Sequence, residues 1–245
     1  MSKTRLFVDG PMSVGANITL HGDQARYVGR VLRLRADDEV TLFDGKGGEY
    51  RALIKDTGKN SISAAIAEMI PRSAESPLDI TVLQGISRGD RMDYVIQKTT
   101  ELGVNRLTPI HTEFSMVKLD EERAAKRSLH WRKVATSACE QCGRNELPLI
   151  DTPRTLPNAL AAYHQSESPK IIMKPGASAT LSSIEIGDRG PVVLIGPEGG
   201  FSDQEYENAE AAGFQAVGFG PRVLRTETAA ISIVTVLQFL YGDLG

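Results

Sequence analysis

The sequence lacks the features that mark several common classes of protein. No run of about 18 apolar residues occurs in its 245 residues, so no transmembrane helix is predicted. The N-terminal segment has no apolar stretch typical of a secretory signal, and we therefore expect a cytoplasmic protein without a membrane partner. The chain has only two cysteines, Cys139 and Cys142, which are too few for a disulfide framework at this length.

The usual motifs for nucleotides and metals are also missing. The sequence has no GxxxxGK[ST] loop and no GxGxxG that opens a helix, which are the signatures of nucleoside triphosphate and dinucleotide binding. The single C-x-x-C has no second pair, and the four histidines show no ligand spacing. We therefore expect no metal site, and we expect the two thiols to be structural or to line a pocket.

Residues 1–72 are predicted to form a small β module. Short alternating strands joined by Gly-rich turns such as GKGG are typical of a barrel-like fold. The segment 71–77 has two prolines, two serines and no periodicity, and it is the predicted domain boundary. Residues 1–72 carry 11 Lys and Arg against 9 Asp and Glu, while residues 151–245 carry 6 against 11. This asymmetry weakly favours a polyanionic partner for the N-terminal module.

One helix, DQARYVGRVLR, is predicted within this module, with Asp23 as its N-cap. A helical period places Tyr27, Val31 and Leu34 on one side. A second side carries the arginines, and without interleaved acids we weigh phosphate contact evenly against a solvated face. These arginines are Arg26, Arg30 and Arg33.

From residue 78 onward, strands alternate with helices, which predicts a mostly parallel, doubly wound sheet. One helix begins after Asp90 and ends before Gly103, with Met92, Ile96 and Thr99 facing inward. A long helix is predicted over 121–142, and a last helix is predicted from Thr226 to Tyr241.

The stretch 191–229 predicts a ligand pocket. An apolar strand, PVVLI, runs into GPEGG, and Ser202 and Glu205 form the capping box of the next helix. A further strand leads into FGPRVLRTETA. Two Gly-rich loops that follow strands favour a pocket over plain turns, because backbone groups at glycine can approach a ligand closely and ligands bind beyond the carboxyl ends of such strands.

Several arginines in loops indicate an anionic substrate. Arg88 and Arg91 lie at the start of a helix, where a cation opposes the helix dipole. Arg225 has a similar position, and Arg144 follows the long helix. Each alone can be a solvated side chain, but together they suggest a phosphate-lined entrance to the pocket.

Four motifs in order, GISRGDRMDYVIQKTTELGV, ACEQCGRN, LIGPEGGFS and FGPRVLRTETA, closely resemble the bacterial ribosomal RNA small subunit methyltransferase E family of the SPOUT superfamily. The resemblance covers nearly the whole chain. It implies a methyltransferase that uses S-adenosyl-L-methionine to methylate N3 of one uridine in 16S ribosomal RNA of the small subunit. It also implies a PUA-like RNA-binding β-barrel over 1–72, a parallel α/β domain with a C-terminal trefoil knot over 73–245, and a homodimer.

The resemblance also implies which residues act. For RNA it adds Arg88, Arg91, Gln141 and Arg144 to the helix arginines. Arg225 is the first candidate to stabilise the developing uridinate, and Glu198 or Glu227 is the possible proton acceptor. KPG at 174–176 departs from the His-Pro often seen in the family, which leaves the role of Lys174 open. The implied cofactor contacts are Met173, Lys174, Pro175, Ile195, Gly196, Glu198, Gly199, Gly200, Phe219, Gly220, Val223, Leu224, Arg225, Thr228 and Ala229.

Two other functions are compatible with parts of the sequence. The chain could be an RNA-binding or ribosome-assembly factor without catalysis, which the intact glycine motifs disfavour. It could also be an enzyme for a small molecule without RNA, which the basic module and the loop arginines disfavour.

Overall fold

The computed structural model describes residues 4–58, 61–117, 119–187 and 189–245. The chain divides into two compact units. The N-terminal unit comprises Met1–Glu75 and Cys139–Leu147, and the C-terminal unit comprises Ser76–Ala138 and Pro148–Gly245. The N-terminal unit thus includes a segment that a linear division at residue 72 leaves out, and the domain boundaries 1–72 and 73–245 stay a prediction.

The N-terminal unit is built on one five-stranded mixed sheet. Its strands are β1 (Arg5–Phe7), β2 (Asn17–His21), β3 (Glu39–Phe43), β4 (Glu49–Thr57) and β5 (Ser61–Met69). They lie in the order β1-β3-β4-β5-β2, with β1 parallel to β3 and the other pairs antiparallel. The predicted short strands are therefore present, while closure into a barrel stays a prediction.

The helix of this unit differs from the prediction. Helix α1 (Gly22–Arg26) begins directly after β2, with His21 at its N-cap, so Asp23 lies in the first turn and its prediction as N-cap was wrong. Gly22 allows this early start because its φ of 59° lies in the left-handed region that glycine adopts without strain.

A π-helical turn, Tyr27–Val31, follows α1 and changes which residues face inward. Its wider spacing breaks the 3.6-residue period on which the prediction depended. Val28 is buried, whereas Tyr27 and Val31 are 45% and 66% exposed, so the side that carries Tyr27 and Val31 is not the one that packs on the core. Arg33 lies beyond this turn with a φ of 54°.

The C-terminal unit is built on a seven-stranded sheet in which all recorded pairs are parallel. The strand order is β12-β10-β11-β6-β7-β8, and β9 pairs with β7. This confirms the predicted parallel α/β sheet. The strands are β6 (Thr81–Gly85), β7 (Arg106–His111), β8 (Leu149–Ile150), β9 (Arg154–Thr155), β10 (Lys170–Met173), β11 (Val192–Ile195) and β12 (Gln215–Val217).

Helices cover both faces of this sheet. Alternate residues of a strand point to opposite faces, so β11 sends Val193 into one core cluster and Leu194 into another. The first cluster contains residues of α2 (Arg91–Glu101), α3 (Glu121–Cys142) and α6 (Thr226–Tyr241). The second contains residues of α4 (Leu156–Tyr163) and α5 (Asp203–Ala211). Strand β11 (VVLI) is a continuous apolar run, as expected for a strand with both faces buried.

The predicted ends of these helices agree well with the structure. Met92, Ile96 and Thr99 of α2 are buried, and Gly103 follows the helix with a φ of 85°. The capping box at the start of α5 is present, with both hydrogen bonds between Ser202 and Glu205. Among the residues that the structure describes, no helix is long and apolar enough to cross a membrane.

Candidate active site

Three adjacent parallel strands, β10, β11 and β12, end at the same edge of the sheet. Backbone hydrogen bonds join the segment that follows β10 to the end of β12 and the loop after it. Lys174 donates its N–H to the carbonyl of Val217, and Gly218 donates to the carbonyl of Ala179. A Cβ at position 218 would overlap the Ala177 carbonyl oxygen, so glycine is required for this close approach. Loops far apart in the sequence are thereby held side by side.

These loops enclose a cavity of about 540 Å³, within the size range of small-molecule sites. Most of the predicted cofactor residues line it together, whereas Gly220 and Thr228 are not part of the lining. The predicted residues in the lining are Met173, Lys174, Pro175, Ile195, Gly196, Glu198, Gly199, Gly200, Phe219, Val223, Leu224, Arg225 and Ala229.

The cavity also includes residues beyond the cofactor contacts named above. Pro197, Arg222 and Thr226 lie within the ranges 195–200 and 219–229 that the resemblance implies for the cofactor site, and Phe201 directly follows the first of these ranges. No loop motif contains Tyr206 or Val217, which lie in α5 and β12. They line the cavity because the fold brings these two elements to its wall. The additional lining residues are Arg91, Pro197, Phe201, Tyr206, Val217, Arg222 and Thr226.

A buried hydrogen-bonded link fixes the floor of the cavity. The Thr226 hydroxyl donates to the Gly196 carbonyl at 2.6 Å and accepts from Gln84 Nε2 at 2.8 Å. Gln84 is fully buried and Thr226 is 6% exposed. Next to this link, a Cβ at Gly85 would overlap the backbone nitrogen of Pro197, so β6 and the GPEGG loop lie in direct backbone contact. The first turn of α6 therefore holds that loop in place.

Glu198 is an ion-paired acceptor in the structure. Its Oε1 accepts from the Arg88 backbone N–H at 3.0 Å and from the Arg91 guanidinium at 2.9 Å. Burial raises the pKa of Glu198, but these hydrogen bonds outweigh burial and lower the pKa below its ordinary value. A carboxylate with a depressed pKa is a weaker proton acceptor, which weakens the prediction of Glu198 as a base.

The other two predicted catalytic residues lie on either side of the start of α6. Arg225 is the exposed N-cap residue of α6 and lines the cavity. Glu227 is outside the lining, and its Oε2 is buried with no hydrogen-bond partner among the described residues. Arg225 can therefore reach a ligand in the cavity, while Glu227 has a free acceptor that does not line it.

Lys174 lies over an aromatic ring at the edge of the cavity. Its Nζ is 4.5 Å from the centre of the Tyr206 ring and 3.9 Å from a carboxylate oxygen of Glu210. Burial raises the pKa of the Tyr206 hydroxyl, and Asp203 and Glu205 raise it further. These contacts orient Lys174 and give it a cation–π contact with Tyr206.

The predicted RNA-binding residues fall into two groups. Arg26, Arg30 and Arg33 are exposed in the N-terminal unit. The guanidinium of Arg26 lies 3.5 Å from a carboxylate oxygen of Asp23, so one of these arginines has an acidic neighbour. Gln141 is also exposed. These side chains are accessible to a polyanion.

Arg144 is different, because it is only 3% exposed. Its guanidinium donates to Glu75 Oε2 at 2.8 Å, and the other oxygen of Glu75 accepts from the N–H groups of Asn145 and Glu146 at 3.1 Å. This arrangement binds the segment after α3 to the rest of the N-terminal unit. It does not support the predicted RNA contact, because a buried and paired guanidinium offers no surface to a phosphate.

An open groove lies in the C-terminal unit beside the cavity. Arg91, Glu198 and Gly199 line both, and the groove adds Arg88 and the segment 113–116. Arg88 and Arg91, predicted as RNA contacts, thus lie beside the predicted cofactor residues. Among the described residues, no group of three or more His, Cys, Asp or Glu is placed to hold a metal ion.

Comparison with known proteins identifies the class to which this fold and cavity belong. Residues 74–238 match the RNA methyltransferase domain family, and residues 20–67 match the RNA methyltransferase PUA domain. A ribosomal RNA small subunit methyltransferase E from Buchnera aphidicola subsp. Schizaphis graminum is 33% identical over 240 residues, covering 98% of this chain and 97% of the relative. The chain therefore belongs to the ribosomal RNA small subunit methyltransferase E family.

Two solved structures are similar along the whole chain. The ribosomal RNA small subunit methyltransferase E from Neisseria gonorrhoeae, bound to S-adenosyl methionine, is 40% identical with a TM-score of 0.95. It covers 99% of this chain and 100% of its own. A protein from Legionella pneumophila, in complex with the cofactor SAM, is 38% identical with a TM-score of 0.95 and the same coverage.

Proposed function

We propose that this protein transfers a methyl group from S-adenosylmethionine to N3 of a uridine in the 16S ribosomal RNA of the small subunit. The observation that carries the proposal is the cavity at the ends of β10, β11 and β12, in a chain that closely matches two structures containing this cofactor. A ribosomal substrate also implies a cytoplasmic location.

The residues around the cavity suit this cofactor. Met173, Ile195 and Phe219 provide apolar surface, and the loop at 196–200 presents backbone groups next to it. When bound, S-adenosylmethionine supplies an electrophilic methyl group on a sulfonium. The main task of the chain is to hold the nucleotide and the cofactor in a reactive orientation. Three loops joined by hydrogen bonds are a suitable rigid frame for that task.

The uridine N3–H must lose its proton before or during transfer. A cation that lowers the energy of the developing uridinate favours this loss, and Arg225 is the exposed cavity residue with that charge. Glu198 Oε1 already accepts from the Arg88 backbone N–H and the Arg91 guanidinium, so its proposed main role is to orient Arg91. Glu227 keeps a free oxygen near the start of α6 and remains a candidate acceptor, although it does not line the cavity.

RNA binding is proposed for both units. Exposed arginines support it in the N-terminal unit, for which we propose a PUA-like barrel and a domain boundary at residue 72. In the C-terminal unit, Arg88 and Arg91 in the open groove support it.

We also propose that the C-terminal domain, 73–245, carries a trefoil knot and forms a homodimer. The backbone hydrogen bonds that join the segments after β10 and β12 support the knot. Phe239 and Leu240 of α6 are 61% and 49% exposed, and exposed apolar groups of this kind support a subunit contact.

The direct test is transfer of a labelled methyl group from S-adenosylmethionine to small ribosomal subunits that lack the modification. Product digestion followed by chromatography distinguishes N3-methyluridine from other methylated nucleosides. Absence of transfer by the wild-type protein, with the cofactor bound, would leave only a non-catalytic RNA-binding role.

The role of Arg225 is tested by Arg225→Ala in the same assay. We expect kcat to fall while cofactor affinity, measured by calorimetry, stays close to wild type. Loss of affinity with an unchanged kcat would make Arg225 a cofactor-binding residue only.

A further inference from the structure

The open groove contains a turn that is held in a single shape. The Ser115 side chain accepts from the Thr112 N–H at 3.0 Å, and the Ser115 N–H donates to the Thr112 carbonyl at 3.1 Å. The Glu113 N–H donates to Glu205 Oε1 at 2.8 Å, so the capping box of α5 also binds this turn. Phe114 lies within this turn, so these hydrogen bonds hold its backbone beside the groove.

Two apolar side chains of this turn are exposed in the groove. Phe114 is 43% exposed and Met116 is 65% exposed. Their exposure next to a cavity contrasts with the burial of most apolar residues of the C-terminal unit. An exposed aromatic ring is a stacking surface for an unpaired base, and a methionine adapts to the shape of what packs on it.

The charges in the groove favour a nucleotide over a simple anion. Arg91 is already paired with Glu198 at 2.9 Å. The Arg88 side chain is exposed, and the structure pairs it with no described acid. Glu113 adds a carboxylate to the lining. Two cations and two acids give little net attraction, so binding here requires stacking and hydrogen bonds in addition to charge.

The groove also has the right position relative to the cavity. Arg91, Glu198 and Gly199 line both, and a Cβ at Gly199 would lie 2.7 Å from the Cβ of Phe114. The cavity and the groove therefore adjoin along Arg91, Glu198 and Gly199. A base on Phe114 would lie next to this shared part of the lining.

We propose that the groove binds the target nucleotide of the RNA, with Phe114 and Met116 against the base and Arg88 on a neighbouring phosphate. This proposal rests on the proposed function and assigns its substrate subsite. Phe114 and Met116 are substrate-positioning residues, and neither takes part in proton transfer.

The test is Phe114→Ala, with Phe114→Tyr as the conservative variant. Loss of one stacked base lowers kcat/KM for unmodified small subunits by about 5- to 150-fold. Alanine keeps the Cβ that packs on Gly199, so the affinity for S-adenosylmethionine should stay within about twofold of wild type, as expected for a group outside the cavity. Tyrosine keeps the ring and should restore most of the activity.

A matched pair of charge variants tests the phosphate contact. Arg88→Gln should raise KM for the subunits and reduce its salt dependence, whereas Arg127→Gln, an exposed arginine on α3 outside the groove, should change neither. Wild-type protein that does not methylate subunits would refute the proposed function itself. Active wild type with kcat/KM of Phe114→Ala within threefold of it would refute only the groove assignment.

A third result would reassign the groove to another occupant. If Phe114→Ala changes the sedimentation of the free protein from one oligomeric state to another, the exposed ring is covered by a second copy of the chain. That outcome would overturn the proposal, because a ring buried between subunits cannot stack on a base.

Discussion

Replacing Thr226 with valine removes a hydroxyl that joins three segments of the C-terminal unit. The hydroxyl donates to the Gly196 carbonyl at 2.6 Å and accepts from Gln84 Nε2 at 2.8 Å. Valine has nearly the same shape, so the change tests the hydrogen bonds with little change in packing. Gln84 Nε2 retains its bond to the Gly85 carbonyl at 3.0 Å, so it keeps an acceptor.

The expected loss of stability follows from these contacts. A typical hydrogen bond contributes about 1 kcal/mol net, and a buried acceptor left without a donor costs about 1–3 kcal/mol. The Gly196 carbonyl is only partly buried, so its cost lies at the lower end of that range. The sum is about 2 kcal/mol, which corresponds to a fall in Tm of about 4–8 °C for a protein of this size.

Calorimetry of the unfolding of Thr226→Val and Thr226→Ser would measure this difference. Serine keeps the hydroxyl, so it should melt well above valine. We also expect weaker cofactor binding by the valine variant, because the Gly196 loop lines the cavity. If the two variants melt at the same temperature, the Gln84–Thr226–Gly196 link does not stabilise the floor of the cavity.

Three further predictions concern charge and reactivity. Simultaneous replacement of Arg26, Arg30 and Arg33 by alanine should weaken RNA binding and leave cofactor affinity unchanged. The slope of log Kd against log salt should fall by about one unit for each phosphate that the variant no longer binds. An unaltered slope would mean that these arginines form a solvated face. Because the pKa of Glu198 is depressed below its ordinary 4.5, the ionised form is favoured by folding, and its contribution to stability is present at neutral pH and lost as pH falls below 4.5. Glu198→Gln should therefore flatten the acid limb of a Tm-against-pH curve, and an identical limb would contradict the ion pair. Burial raises the pKa of the Cys139 thiol to about 12. Iodoacetamide at mildly alkaline pH should therefore modify Cys139 only after unfolding, which peptide mapping would show. Rapid labelling of Cys139 in the native protein would contradict its burial.

Much of the C-terminal unit could be predicted because its signals are local. The α2 face of Met92, Ile96 and Thr99 follows from a 3.6-residue period, and the structure confirms it. The capping box at Ser202 and Glu205 is likewise a pattern within four residues. Each feature depends on neighbours in the chain, so no knowledge of the fold was needed.

The structure departs from the local sequence pattern at Asp23 and at Arg144. Asp23 has the chemistry of an N-cap, but β2 continues to His21 and Gly22 lets α1 begin before Asp23. Arg144 follows a helix like an exposed loop residue, yet Glu75, 69 positions away, binds its guanidinium. No sequence pattern pointed to Phe114, because its proposed role depends on the position of its turn beside the GPEGG loop.

The stretch 191–229 has some features that its own residues predict and others that only the folded chain shows. Its two Gly-rich loops after buried strands are readable from the residues alone, because glycine content and apolar runs are properties of a few neighbouring positions. The folded chain places β10 between β11 and β12, and this order brings residues 173–175 into the same cavity. The fold also places Arg88 and Phe114 beside that cavity. Parallel strands are connected by crossovers over a face of the sheet, and the order in which they pair is a property of the packed sheet.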